Sequence, residues 1–226
     1  MHKPKKRTGR CGRRDEMLHF MLGGRVTIER LTTTDRERVI DVLAAAFRDY
    51  PVMRYALSDA GAEYDGRLRE LIGFFCDARL TRGWPVLGIR QGSELVAAAL
   101  VSERRYVPAP PELKRKHLRV ARIIGRAAFE RMAQYERQST GHEPGDPHFF
   151  LGMIGVAPGH RGSGYGRILL EHIQTMSEAD PVSTGVALST ENPSNVPYYE
   201  RVGYRVTGEA DVGDIHTWSM FRPNRG

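Results

Sequence analysis

A chain of 226 residues, 40% hydrophobic and 27% charged, is long enough for one domain with a sizeable core, or one domain with an insertion. Its two cysteines, Cys11 and Cys76, make neither a disulfide framework nor a zinc spacing, which fits a reducing cytoplasm and a protein without a metal. The longest unbroken apolar run, Leu95 to Val101, is too short to span a bilayer, so no membrane partner is expected.

The net charge of +7 is concentrated at the start of the chain. Residues 1–24 hold seven Lys and Arg against Asp15 and Glu16, hence +5, which leaves +2 for the other 202 residues. They lack the apolar stretch and small-residue cleavage site of a signal peptide and read as a disordered basic tail. A tail that binds nucleic acid is the alternative, and the near-neutral body gives it no support. Order is expected from Arg25 onward, in one domain of residues 25–226. Val26 to Leu31 alternates as a strand. Thr34-Asp-Arg-Glu37 reads as a capping box that opens a helix to Phe47, and Tyr50 to Tyr55 breaks it. A second helix is expected over Asp65 to Thr81, then two strands, Trp84 to Arg90 and Glu94 to Ser102, around Gln91-Gly92-Ser93. Residues 107–147 read as an insertion with a helix over Leu113 to Arg137. Its basic residues form either a solvated face or a cover over a substrate site. Gly141 to Pro147 is a loop with the composition of a lid.

The most informative stretch follows. His148 to Val156 is an apolar strand containing Gly152 and Gly155, and glycine inside a strand marks a bulge or a close backbone approach. Ile168, Leu169, Ile173 and Met176 show helical periodicity. Between strand and helix lies Val156-Ala-Pro158-Gly-His-Arg161-Gly162-Ser163-Gly164-Tyr165-Gly166-Arg167. Glycines let the backbone turn sharply there, and outward amides at a helix start attract a pyrophosphate. The dinucleotide fingerprint G-x-G-x-x-G is broken by Arg167, and no P-loop lysine follows Gly166. A glycine-rich turn without a ligand is the alternative. Downstream, Gly185 to Ser189 reads as a strand. Asn195-Val-Pro197 opens a short helix that Gly203 ends, which fixes Tyr199 in place.

The pattern V-x-P-x-x-R-G-x-G-x-G after a strand, followed by Asn195-x-Pro-x-Tyr199-Glu-Arg-x-Gly203, resembles the GNAT superfamily of N-acetyltransferases. With Thr217-Trp218-x-Met220, the likeness points toward the group similar to puromycin N-acetyltransferase, and it is clear over residues 148–222. The resemblance implies an α/β (α+β) fold whose mixed central sheet of six to seven strands is flanked by helices and splayed at an acetyl-CoA site. It implies that Met153, Ile154, Gly155 and Val156 line the pantetheine, and that Arg161 to Arg167, with Asn192, Asn195 and Tyr199, complete the cofactor site. Aromatic residues between Phe47 and Tyr55 would border the acceptor.

The activity so implied is direct acetyl transfer to a small-molecule primary amine in a ternary complex, by a monomer or homodimer. Glu191, expected at the site's mouth, is the first candidate for the base, and His148 is the second. Each also has a plain reading, as a solvated loop carboxylate and a strand-edge hydrogen-bonder. A strand amide near Met153 would hold the oxyanion, worth roughly 3 kcal/mol. Tyr199 would meet the departing thiolate, although a phenol near 10 is a weak acid for a thiol near 8.5. A packing role for Tyr199, a protein amine as acceptor, and a CoA-binding sensor without turnover stay open.

Overall fold

The apolar run Leu95 to Val101 is uninterrupted because it is the middle of a sheet covered on both faces, so neither side of the strand needs polar residues. The computed structural model describes residues 26–104 and 108–225; the basic segment 1–24 and Cys11 lie outside them. In chain order the elements are β1 (Ile28–Arg30), α1 (Arg36–Phe47), α2 (Pro51–Ala56), α3 (Tyr64–Arg82), β2 (Val86–Gln91), β3 (Glu94–Arg104), α4 (Pro111–Ile124) and α5 (Arg126–Ser139). They continue with β4 (His148–Val156), α6 (Tyr165–Ala179), β5 (Gly185–Thr190), α7 (Val196–Arg201), β6 (Arg205–Val212) and β7 (Ile215–Pro223). The seven strands form one sheet in the order β1-β2-β3-β4-β5-β7-β6, with β4 and β5 parallel and every other pair antiparallel. This is the mixed sheet that the sequence leads one to expect.

Each face has its own core. Leu43, Ile72, Leu100 and Met153 belong to one cluster with α1 to α5, while Leu169, Leu170, Ile173 and Leu188 belong to the other beneath α6. Gly155 brings α1 unusually close: a Cβ there would lie 2.7 Å from the Cβ of Ala46 and 3.0 Å from Leu43. Among the described residues no helix is long and apolar enough to cross a membrane.

Three local expectations change. The cap before α1 is formed by Asp35, whose carboxylate accepts the Thr32 N–H at 3.1 Å, so the helix begins at Arg36 instead of after Thr34. Tyr50 to Tyr55 does not remain irregular; Pro51, whose missing N–H costs nothing in a first turn, starts α2. The inserted helix is two helices, because Gly125 adopts φ +89°, and Arg67 caps the first by donating to the Ile124 carbonyl at 2.8 Å. The second is tied down at both ends. Arg131 donates to the Ala56 carbonyl at 2.9 Å, and the Ser219 hydroxyl donates to the Ser139 carbonyl at 3.0 Å.

Gly155→Ala is expected to cost about 1–3 kcal/mol, because the added methyl must displace α1 in a close-packed interface. Urea denaturation of both proteins measures it, as a lower midpoint with an unchanged slope.

Candidate active site

β4 pairs with β3 along its whole length but with β5 at only three positions, Phe149↔Val186, Phe150↔Ala187 and Leu151↔Leu188. Beyond Leu151 the two parallel strands part, and the edge of β4 from Gly152 to Val156 faces β5 without pairing to it. Such an edge presents backbone donors and acceptors to whatever lies beside it. Where the strands part there is a slot of about 50 Å³, lined by Met153, Ile154, Leu188, Ser189, Asn195 and Tyr199, together with Phe47 and Tyr50. The parting coincides with a bulge: Leu100 pairs with Met153 and Val101 with Leu151, which leaves Gly152 without a partner on β3. A Cβ on Gly152 would lie 2.5 Å from Nη2 of Arg79, so the bare glycine makes room for that guanidinium.

At the far end of β4 the chain makes a turn and enters α6. Gly162 and Gly164 hold φ +83° and +80°, values that cost L-residues roughly 1–2 kcal/mol. A Cβ at Gly159, Gly162 or Gly164 would meet nothing within 4 Å, so the turn is an open concavity at the amino end of a 15-residue helix. Arg161 and Arg167 are exposed, and Arg167 is turned back onto Glu171 at 2.7 Å. Gly166 lies 3.8 Å, as a would-be Cβ, from Val156. Ser163 is half-buried, and the Tyr165 side chain is buried in the core beneath the sheet. What this run offers a ligand is chiefly backbone N–H groups with the helix dipole behind them.

Tyr199 is buried on α7 against Tyr198 and Tyr204. Burial pushes its phenol well above the ordinary value of 10. The asparagines beside it exchange their expected parts. Asn192 caps the preceding turn by accepting the Ser194 N–H at 3.1 Å, whereas Asn195 makes no cap and instead donates to the Thr190 hydroxyl at 3.0 Å. Tyr50 reaches the same hydroxyl at 2.8 Å. The end of β5, the start of α2 and the start of α7 are thereby fastened at one oxygen.

Glu191 follows Thr190 directly. It does not sit at a solvated mouth: it is 6% exposed, and one carboxylate oxygen accepts both the Tyr135 hydroxyl at 2.6 Å and the Thr217 hydroxyl at 2.9 Å. Burial raises its pKa against the opposing effect of these bonds. Burial and the adjoining carboxylate in turn push Tyr135 well above 10 and Tyr50 up to about 12. Glu191 lines a second, larger cavity of about 750 Å³, walled by α3, α4 and α5 and by Tyr50, Gly152, Met153 and Ser189. Those last four residues also line the slot, so the two spaces adjoin at the parting of the strands.

His148 is not brought to this place. It lies at the opposite end of β4, buried, with Nδ1 donating to the Asp146 carbonyl at 2.8 Å and Nε2 3.3 Å from Glu143. It lines neither space, as its position before the paired part of the strand dictates. The Gly141 to Pro147 loop is at that same end, where His142 packs against Gly208 of β6, so it does not cover the cavity. Cys76 is buried in α3, its thiol pushed up to about 11 by burial, and it lines neither space. Sequence reasoning passes over Tyr135 and Arg79. Both stand on helices whose patterning suits an ordinary amphipathic surface, and only the packing of α3 and α5 onto the sheet turns them inward.

Residues 114–206 match the family model described as the acetyltransferase (GNAT) domain. Over 60 residues the chain is 38% identical to the peptidyl-lysine N-acetyltransferase YjaB of Escherichia coli strain K12, a stretch covering 26% of this chain and 38% of that protein. The chain thus spans less than two fifths of the curated relatives it matches. A structure titled histone acetyltransferase HPA2 and related acetyltransferase, from Corynebacterium glutamicum, superposes with a TM-score of 0.65 at 20% identity, covering 89% of this chain and 97% of the other. Arylalkylamine N-acetyltransferase 2 of Aedes aegypti superposes with a TM-score of 0.60 at 13% identity, covering 89% and 100%. The protein carries a GNAT acetyltransferase domain, and its mixed sheet with flanking helices has the fold of those neighbours.

The buried carboxylate has a thermodynamic signature. Because its folded pKa lies above the ordinary 4.5, the unfolded chain releases this proton first as pH rises. The stability linked to this group is therefore full below that value and is lost as pH climbs through the folded pKa. Glu191→Gln keeps an oxygen for Tyr135 and Thr217 and removes the titration. Thermal melts from about pH 4.5 to 8 are expected to show the variant gaining on the native protein as pH rises.

Proposed function

We propose that the protein is an acetyl-CoA-dependent N-acetyltransferase that acts on a small primary amine by direct transfer in a ternary complex. The observation that carries this reading is the adjoining pair of spaces: a narrow slot at an unpaired strand edge, opening into an apolar cavity of about 750 Å³ with one buried carboxylate in its wall. A cavity of that size and lining suits a drug-sized or metabolite-sized molecule. The open, glycine-rich turn before α6 fits a pyrophosphate, and the free edge of β4 fits a pantetheine amide chain.

Acetyl-CoA supplies the acetyl thioester, and the chain's own groups do the rest. Glu191 takes the proton that an ammonium must lose before its nitrogen has a lone pair, and its raised pKa brings it nearer to working pH. A backbone N–H of β4 beside Met153 holds the carbonyl oxygen as it gains charge. Tyr199, kept protonated by burial, donates a hydrogen bond to the sulfur as negative charge develops there. The upward shift of its phenol makes this a stabilising contact more than a full proton transfer. Cys76, buried and high in pKa, has no part in a covalent route. The printed name of the relative YjaB, a peptidyl-lysine acetyltransferase, favours a second reading in which the amine is a protein lysine.

Thiol release from acetyl-CoA, measured against puromycin, aryl amines, polyamines, amino acids and lysine peptides, separates the two readings. Small amines are expected to outpace peptides. Binding of acetyl-CoA with no release above hydrolysis for any amine would refute an enzyme of either kind. Tyr199→Phe is expected to lower kcat by about one to three orders of magnitude at nearly unchanged acetyl-CoA affinity, and Glu191→Gln by about two. Steady-state kinetics with calorimetry of acetyl-CoA binding distinguishes these losses from unfolding.

A further inference from the structure

The large cavity is apolar along most of its wall, with Met53, Leu71, Phe75, Leu113, Phe129 and Met132 on it, and yet α3 sends two guanidinium groups into it. Arg79 and Arg82 are three residues apart and so share one face of the helix. Arg79 reaches the wall at the bulge: Nη2 occupies the room that Gly152 leaves, at the junction of cavity and slot. Its Nη1 donates to the Phe75 carbonyl at 3.2 Å, which holds the side chain in this direction.

Arg82 lies 4.9 Å over the ring of Trp84, and its Nε is buried with no hydrogen-bond partner. Desolvation alone lowers its pKa, and among the described residues no carboxylate pairs with it. Other arginines near these helices behave differently: Arg36 meets Asp77, Arg48 meets Asp65, Arg67 meets Glu63 and Arg131 meets Asp59. Positive charge facing an apolar cavity is costly unless an anion joins it. Lys114 adds a third cation to the lining, and the acids there are Glu136 and Glu191. Glu191 already accepts two hydroxyl groups, and it approaches the same junction from the β5 side, next to Ser189 and Tyr50.

We propose that the acceptor is an amino acid or a close analogue, a primary amine with a carboxylate on the neighbouring carbon and an aromatic or branched aliphatic body. Its carboxylate is held by Arg79 with Arg82 behind it, its amine lies toward Glu191, and its body fills the apolar cavity. The guanidinium group suits a carboxylate because its planar donors meet both oxygens at once. A cation beside the amine also lowers the amine's own pKa, which assists loss of its proton. This inference rests on the acetyltransferase reading above and adds the chemistry of the acceptor.

The test uses three acceptors of one shape, L-phenylalanine, L-phenylalaninamide and phenethylamine, with acetyl-CoA and the full-length protein. Phenylalanine is expected to exceed both others in kcat/KM by about ten-fold or more. The comparison is weighted against the proposal, since the amide's amine is the less basic and the more readily neutral. In Arg79→Met the ratio of phenylalanine to its amide is expected to fall to about one, while Arg79→Lys, which keeps the charge without the fork, retains part of it. Phenethylamine or the amide matching phenylalanine in the native protein overturns the amino-acid acceptor and leaves the small-amine enzyme standing. A preference that survives intact in Arg79→Met overturns the assignment to this arginine. Silence with all three, in protein shown to bind acetyl-CoA, overturns the proposal, and lysine peptides then decide whether the acetyltransferase reading falls with it.

Discussion

The parting of β4 from β5 is the constraint from which the rest of the site follows. Three paired positions hold the two strands together at one end, and past Leu151 they diverge. A sheet that stayed zipped would satisfy every backbone group internally and leave no place for a ligand. The divergence is stabilised from outside the strands. The Gly152 bulge bends β4 away on one side. On the other, Tyr50 and Asn195 fasten the end of β5 through Thr190. The unpaired edge is therefore held open by packing and hydrogen bonds that remain in place whether or not anything occupies it.

Keeping a carboxylate dry next to that opening has a cost. Glu191 is surrounded by phenols and a threonine instead of a counter-ion, and two neutral donors offset only part of its desolvation. An ion pair there would hold it in the charged form and weaken it as a proton acceptor. The arrangement leaves it poised, with the two bonding hydroxyl groups fixing its orientation. Tyr199 shows the complementary treatment: a group meant to stay protonated is buried, and burial secures that state.

Much of this was legible in the chain. The strand–turn–helix from His148 to Ile168 and the spacing Asn195 to Gly203 locate the slot, because tight turns and helix starts are fixed by local residues. Gly152 as a bulge is a local signal too. The failures come from geometry across the sheet. His148 is on the right strand but at its wrong end, and nothing local distinguishes the paired half of β4 from the free half. Glu191 reads as a loop carboxylate because its burial depends on Tyr135 from a helix 56 residues earlier and on Thr217 from β7. Gly125 looks like a tolerated glycine within one basic helix, and only its φ of +89° shows that two helices meet there.

The elbow at Gly125 has a further consequence. The two helices it joins form the roof of the large cavity, and they arrive as one insert between β3 and β4. The residues that would handle protons and the acetyl group, Glu191, Tyr199 and the β4 edge, are all elsewhere in the chain. Changes to the roof's length, bend or inner side chains can therefore alter which molecules fit without disturbing the reaction centre. Tyr135 is the exception, the one roof residue that touches the machinery, and it is where a change of specificity would also register as a change of rate.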